Sequence, residues 1–74
     1  KITTDKISKG VLMVFDVNGS SIITLHDGFL LPGETLVPWD GRDHLGKIVA
    51  TGTYFYSLFV DGELIESNSM IFIK

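Results

Sequence analysis

The chain reads as short apolar runs separated by glycine and polar residues. Residues 11–17 are Val-Leu-Met-Val-Phe-Asp-Val. Val11, Met13, Phe15 and Val17 fall on one face of an extended segment, and Leu12 and Val14 fall on the other. Apolar residues on both faces predict a strand that is mostly buried. Asn18-Gly19 follows. That dipeptide accepts positive φ at both central positions of a tight turn, so it predicts a two-residue hairpin. Residues 20–25, with β-branched Ile22, Ile23 and Thr24, form the predicted returning strand.

Residues 26–33 contain Asp27-Gly28 and Pro32-Gly33 and are expected to be a connection. Alternation resumes at Thr35, Val37 and Trp39. Pro38 has no N–H to donate, which places this strand at a sheet edge or at its own end. Residues 40–46 make a long polar turn, and residues 47–50 a short strand or an extended arm. Gly52 precedes the strongest pattern of the chain. Tyr54, Tyr56, Leu58 and Val60 lie on one face of residues 53–60, and Phe55 and Phe59 lie on the other. Asp61-Gly62 predicts a second tight hairpin turn. Residues 63–74 are the last strand, with a kink expected at Ser67-Asn68-Ser69. Ile2 and Ile7 allow an opening edge strand, although their alternation is poor.

No window shows helical periodicity. Six or seven short strands with frequent turns predict an all-β domain, an antiparallel sandwich of immunoglobulin type with about seven strands. The 74 residues make one domain, spanning 1–74. A domain of this size has little core to spare and no room for a large cleft beside it.

Composition removes several function classes. The formal net charge is −3, and the six Lys and Arg residues are scattered along the chain. Nucleic-acid binding needs clustered basic charge, so no nucleic-acid partner is expected. There is no cysteine, which excludes a disulfide framework and a Cys-based zinc site. No apolar run approaches the length of a membrane helix, so no membrane insertion is expected. The chain opens at Lys1 without a methionine, as a processed piece or a fragment would.

The carboxylates are Asp5, Asp16, Asp27, Asp40, Asp43, Asp61, Glu34, Glu63 and Glu66. Most stand beside glycine or in turns, where Asp accepts backbone N–H groups. Glu63 and Glu66 are not expected on one strand face, and no nucleophile elbow occurs. Hence no catalytic residue and no cofactor are assigned. His26 and His44 lie in separate predicted loops. Asp40 and Asp43 offer only part of a calcium ligand set, so no metal is assigned.

The stretch Trp39-Asp40-Gly41-Arg42-Asp43-His44-Leu45-Gly46 is the most distinctive. As structure, it is a core tryptophan leaving a strand, with Asp40, Gly41, Arg42, Asp43 and Gly46 forming a turn motif. As a site, Trp39, Tyr54 and Tyr56 would form an aromatic platform for a sugar or peptide. The core reading is favoured, because a chain this small has one tryptophan. Tyr54, early in a long strand, is placed to direct its hydroxyl at upstream backbone. Residues 70–74 are either the closing strand or an edge that another protein can extend.

These residues, in order, carry a resemblance. Phe15-Asp16-Val17-Asn18-Gly19, Leu31-Pro32-Gly33, Val37-Pro38-Trp39-Asp40-Gly41-Arg42-Asp43, Leu45-Gly46, residues 50–56 and the closing Met70-Ile71-Phe72-Ile73-Lys74 resemble the Ig-like domain of flagellar hook-capping proteins (FlgD-type). They resemble still more the C-terminal sorting domain of type IX secretion substrates. The resemblance implies a seven-stranded sandwich without enzymatic activity, at the end of a larger protein that is secreted or displayed on the cell surface. It implies sorting or recognition residues at Gly52 and Tyr54 and at Met70, Ile71, Phe72, Ile73 and Lys74. The implied partners are translocon or shuttle proteins and the upstream parts of the parent polypeptide. Two Gly-rich hairpins and a hydrophobic last strand also allow strand exchange, so weak self-association is expected. Two other readings compete: a structural or interaction module of hook-cap or spacer type, and a carbohydrate-binding accessory module of a secreted hydrolase.

Overall fold

The computed structural model describes all residues except Lys1, Asp5 and Leu36, together with all side chains except those three and Thr3 and Thr35. The position of Asp5 among the carboxylates therefore lies outside the described residues, as does the Thr35 side chain in the expected alternation.

Among the described residues there are six strands and no helix. They are β1 (Ile2–Thr4), β2 (Ser8–Phe15), β3 (Ser21–Leu30), β4 (Gly33–Thr35), β5 (Gly52–Val60) and β6 (Glu63–Phe72). The main sheet has the order β3-β2-β5-β6 and is antiparallel throughout. β1 and β4 form a separate antiparallel pair. The chain is thus all-β, but six strands replace the expected seven. The β1–β4 pair is not extended by further strands, because residues 37–50 contribute only one isolated bridge, Arg42 to Ile48.

One face of the main sheet carries the core. Register places Leu12 opposite Leu58 and Val14 opposite Tyr56, and antiparallel partners share a face. Ile2, Leu12, Leu30 and Leu58 form the buried cluster, with Leu25, Val37, Tyr56 and Val60 packed against it. The opposite face is less covered. Val11, Met13 and Phe15 are only half-buried, so β2 is buried on one face rather than on both. Nothing in the described structure lies over Phe55 or Phe29 well enough to bury them, and Phe29 is 76% exposed.

Several local expectations are corrected. The turn after β2 is not a two-residue loop with two positive φ values. Only Gly19 has positive φ (80°). Gly19 N–H donates to the Asp16 carbonyl and Asp16 N–H to the Ser20 carbonyl, both at 3.0 Å. This is a three-residue loop with glycine in the left-handed position. Asp16 Oδ1 accepts from the amides of Asn18 and Ser20, which favours this geometry over the tighter turn. At Asp61-Gly62 both residues do have positive φ, 50° and 84°, and the expected two-residue turn forms.

β3 does not stop at Leu25. It runs to Leu30, straight through Asp27-Gly28. Gly28 pairs with Gly10 of β2, and a Cβ on Gly10 would meet the Leu30 side chain at 2.5 Å. Burial of Leu30 over that glycine rewards extension where the dipeptide suggested a turn. Residues 37–39 do not continue as a strand after β4. The irregularity of β6 lies at Ile65, not at residues 67–69: Leu58 pairs with Glu66 and Phe59 with Leu64, leaving Ile65 as the extra residue of a bulge. The bulge also brings Glu63 and Glu66 to one face, since their partners Val60 and Leu58 alternate regularly on β5.

The extension of β3 has a measurable consequence. Leu30→Ala should lower unfolding stability by about 2–5 kcal/mol. Phe29→Ala, one residue away and exposed, should change it by about 0.5 kcal/mol or less. Urea unfolding of both variants checks this, and equal effects would contradict the assigned faces.

Candidate functional site

The residues singled out by sequence meet where the arm of residues 37–50 reaches the end of β6. Gly52 pairs with Phe72 and Tyr54 with Met70, so the two groups expected to carry recognition are cross-strand neighbours. Tyr54 is buried, and its hydroxyl donates to the Ala50 carbonyl at 2.7 Å. The hydroxyl ties the arm to the start of β5, as the position of Tyr54 predicted.

Trp39 closes the cluster. Its ring meets Tyr54 edge-on, with centroids 5.3 Å apart, and lies tilted against Phe72 at 5.5 Å. Its indole N–H donates to the Arg42 carbonyl at 2.9 Å. Edge-to-face aromatic contacts of this kind contribute about 0.5–1.5 kcal/mol beyond simple burial. Of the three rings proposed as a platform, Tyr54 is buried, while Trp39 and Tyr56 are half-buried.

Gly41 explains how the arm comes so close. Its φ is +79°, and a Cβ there would overlap the Phe72 ring. Only glycine satisfies both conditions without distortion. No sequence signal pairs Gly41 with Phe72. The positive φ was legible from Asp40-Gly41, but the ring above it was not.

Beyond Gly41 the arm folds into a small hairpin. Asp43 N–H donates to the Lys47 carbonyl, and Gly46 N–H donates to the Asp43 carbonyl. Asp43 Oδ1 accepts from the amides of Leu45 and Lys47 at 2.9 and 3.0 Å. This repeats the pattern around Asp16, so Asp-x-x-Gly builds the same loop twice. Asp40 Oδ1 accepts the Arg42 amide at 3.2 Å, and Arg42 Nη1 donates to the Gly46 carbonyl at 2.8 Å. The Arg42–Asp40 ion pair is exposed at 3.6 Å and contributes little. His44 N–H donates to the Ile22 carbonyl at 3.0 Å, fastening the hairpin to β3. The carboxylates of Asp40 and Asp43 thus serve backbone amides. Among the described residues no group of three or more His, Cys, Asp or Glu could hold a metal ion.

The last strand divides by face. Met70 and Phe72 are half-buried on the core side, while Ile71 and Ile73 are 75% and 76% exposed. Beyond the last paired residue, Phe72, Lys74 N–H donates to the Thr51 side chain, Oγ1, at 3.3 Å. An open groove of about 510 Å³ runs beside this strand, lined in part by Val37, Trp39, Tyr56, Leu58, Met70 and Glu66. Among the described residues Glu66 is the only carboxylate lining it, and the Tyr56 hydroxyl reaches it at 3.5 Å.

No family model, curated protein or solved structure matches the chain.

Two predictions follow from the geometry of the arm. Gly41→Ala should destabilise by about 2–4 kcal/mol, through its positive φ and, on top of that, the overlap with Phe72. Gly46→Ala shares the positive φ (82°) but meets nothing within 4 Å, so it should cost about 1 kcal/mol. Chemical denaturation compares them, and equal losses would contradict the Phe72 contact.

The second prediction concerns acid. The Lys47 amide, and after it the Leu45 amide, holds the Asp43 carboxyl below its ordinary value, against an opposing desolvation. A depressed carboxylate stabilises the fold above its unfolded pKa and loses that contribution as pH falls through the folded one. The Leu45 and Lys47 amide resonances should therefore shift together below the ordinary Asp range. In Asp43→Asn, which keeps Oδ1 but cannot titrate, that shift should vanish.

Proposed function

We propose that this chain is a non-catalytic, Ig-like sorting domain through which a larger exported protein is recognised and carried across the outer membrane by the type IX system. The observation that carries this reading is the convergence of Gly52, Tyr54, Met70 and Phe72 on one stretch of the β5–β6 ladder. These are among the positions to which the resemblance assigns recognition, and they come from the two strands of one hairpin.

On this reading Tyr54 and Phe72 act from inside. They fix the arm and the last strand as one unit, so that a secretion component reads a folded surface. The parts it touches are the exposed ones: Ile71, Ile73, Lys74 and the open edge of β6. Such an edge suits recognition by strand addition, in which backbone hydrogen bonds give affinity and alternate side chains give selectivity. The topology is also consistent with an immunoglobulin-type sandwich, in which β2, β5 and β6 form the core of one sheet and β1 and β4 belong to the other. The protein would reach the cell surface or the medium after periplasmic passage. Its partners would be shuttle and translocon components and the parent polypeptide.

The test fuses residues 1–74 to the C-terminus of a periplasmic reporter, in a host with a working type IX system and in one lacking it. Delivery to the surface or medium only in the competent host is expected, and removal of residues 70–74 should leave the reporter in the periplasm. Retention of a folded fusion in both hosts would overturn the proposal and favour a structural Ig-like module.

A further inference from the structure

The edge of β6 has a complementarity to itself. In an antiparallel ladder the amides of a strand point alternately to its two neighbours. Lys74 N–H points to the β5 side, where it meets Thr51 Oγ1. By alternation the amides of Ser67, Ser69, Ile71 and Ile73 point to the open side. The Ser69 amide agrees with this, since it is capped by its neighbour, Asn68 Oδ1, at 2.9 Å. That cap is an exposed side chain and can rotate away when a strand arrives.

The bulge at Ile65 interrupts this edge on one side. Beyond it β6 runs to Phe72, and the Lys74 amide keeps the β5 direction two residues further on. The position midway between Glu66 and Lys74 is Met70. Charge sits only at the two ends of this run, with Glu66 at one and Lys74 at the other.

The geometry points to a second copy of this chain as the occupant of the edge, paired antiparallel about Met70. In that register Glu66 of each copy falls opposite Lys74 of the other. Ile71 falls opposite Ser69 and Ile73 opposite Ser67, all four with outward amides, so every rung can form. Ile71 and Ile73, now three-quarters exposed, lose water on the same face. A shift by two residues would separate both charge pairs, so charge selects the register. The two four-stranded sheets become one continuous sheet across a two-fold axis. This inference does not rest on the sorting reading. It uses the same edge, so self-pairing and a secretion partner would exclude each other.

One added ladder buries less than the ~1,200 Å² of a stable interface, so the dimer is weak and is sought at about 1 mM protein. Salt of about 0.1 M screens the net repulsion between copies beyond ~10 Å while leaving contact pairs effective. Sedimentation equilibrium should show reversible dimerisation. Glu66→Lys alone and Lys74→Glu alone should each weaken it roughly tenfold, since each turns two attractive pairs repulsive. An equimolar mixture of those two variants should dimerise again, because each copy then meets its complement. Ile71→Pro removes an outward amide without touching the β5 ladder and should leave a folded monomer. Circular dichroism checks that each variant is folded. A monomeric parent chain, or a dimer whose charge variants are not rescued by mixing, would overturn the inference.

Discussion

Everything at one end of this domain depends on the approach of Gly41 to the Phe72 ring. The main sheet offers Tyr54 and Phe72 as cross-strand near neighbours, and among the described residues it is Trp39 and Gly41, not a strand, that meet their rings. Both belong to the arm. It can come close enough only because residue 41 has no side chain and accepts a φ of +79°. Trp39 then fills the remaining space against both rings. The result is a core in two parts. An aliphatic cluster around Leu12, Leu30 and Leu58 lies under β1, and an aromatic cluster lies under the arm. Over this end of the sheet the arm does the covering that a strand would otherwise do.

The same economy shapes the edges. Both outer strands of the main sheet carry bulges, at Leu25 and Ile22 in β3 and at Ile65 in β6. Bulges discourage indiscriminate pairing. The bulge at Ile22 lies where the Ile22 carbonyl receives the His44 amide, so that irregularity is used to hold the arm. β6 keeps an unbulged stretch beyond Ile65, as β3 does from His26 to Leu30.

Much of this was legible in the sequence, for reasons that are local. The pattern around residues 53–60 located β5 because its apolar positions alternate over the whole strand. Asp61-Gly62 located its turn because both residues accept positive φ. The position of Tyr54 announced its bond to Ala50. Where the structure departs from the local pattern, the causes differ. Asp27-Gly28 favours a turn, yet Leu30 has a buried seat over Gly10 that an extended chain reaches. Asn18-Gly19 favours a two-residue turn, yet the nearby Asp16 carboxylate selects the longer loop. Simple alternation puts Glu63 and Glu66 on different faces, and the bulge at Ile65 reverses that. The site was legible as two separate motifs. Their union around Gly41 and Phe72 was not, because no periodicity links a loop glycine to an aromatic ring in the last strand.

The claim on which this account rests is that the arm and the last strand are energetically one unit. A double-mutant cycle between Trp39→Leu and Phe72→Leu, measured by urea unfolding, tests it most directly. The account predicts a coupling of about 0.5–1.5 kcal/mol between the two substitutions. Strict additivity, with each loss independent of the other, would mean that the arm only lies beside β6 and does not hold it.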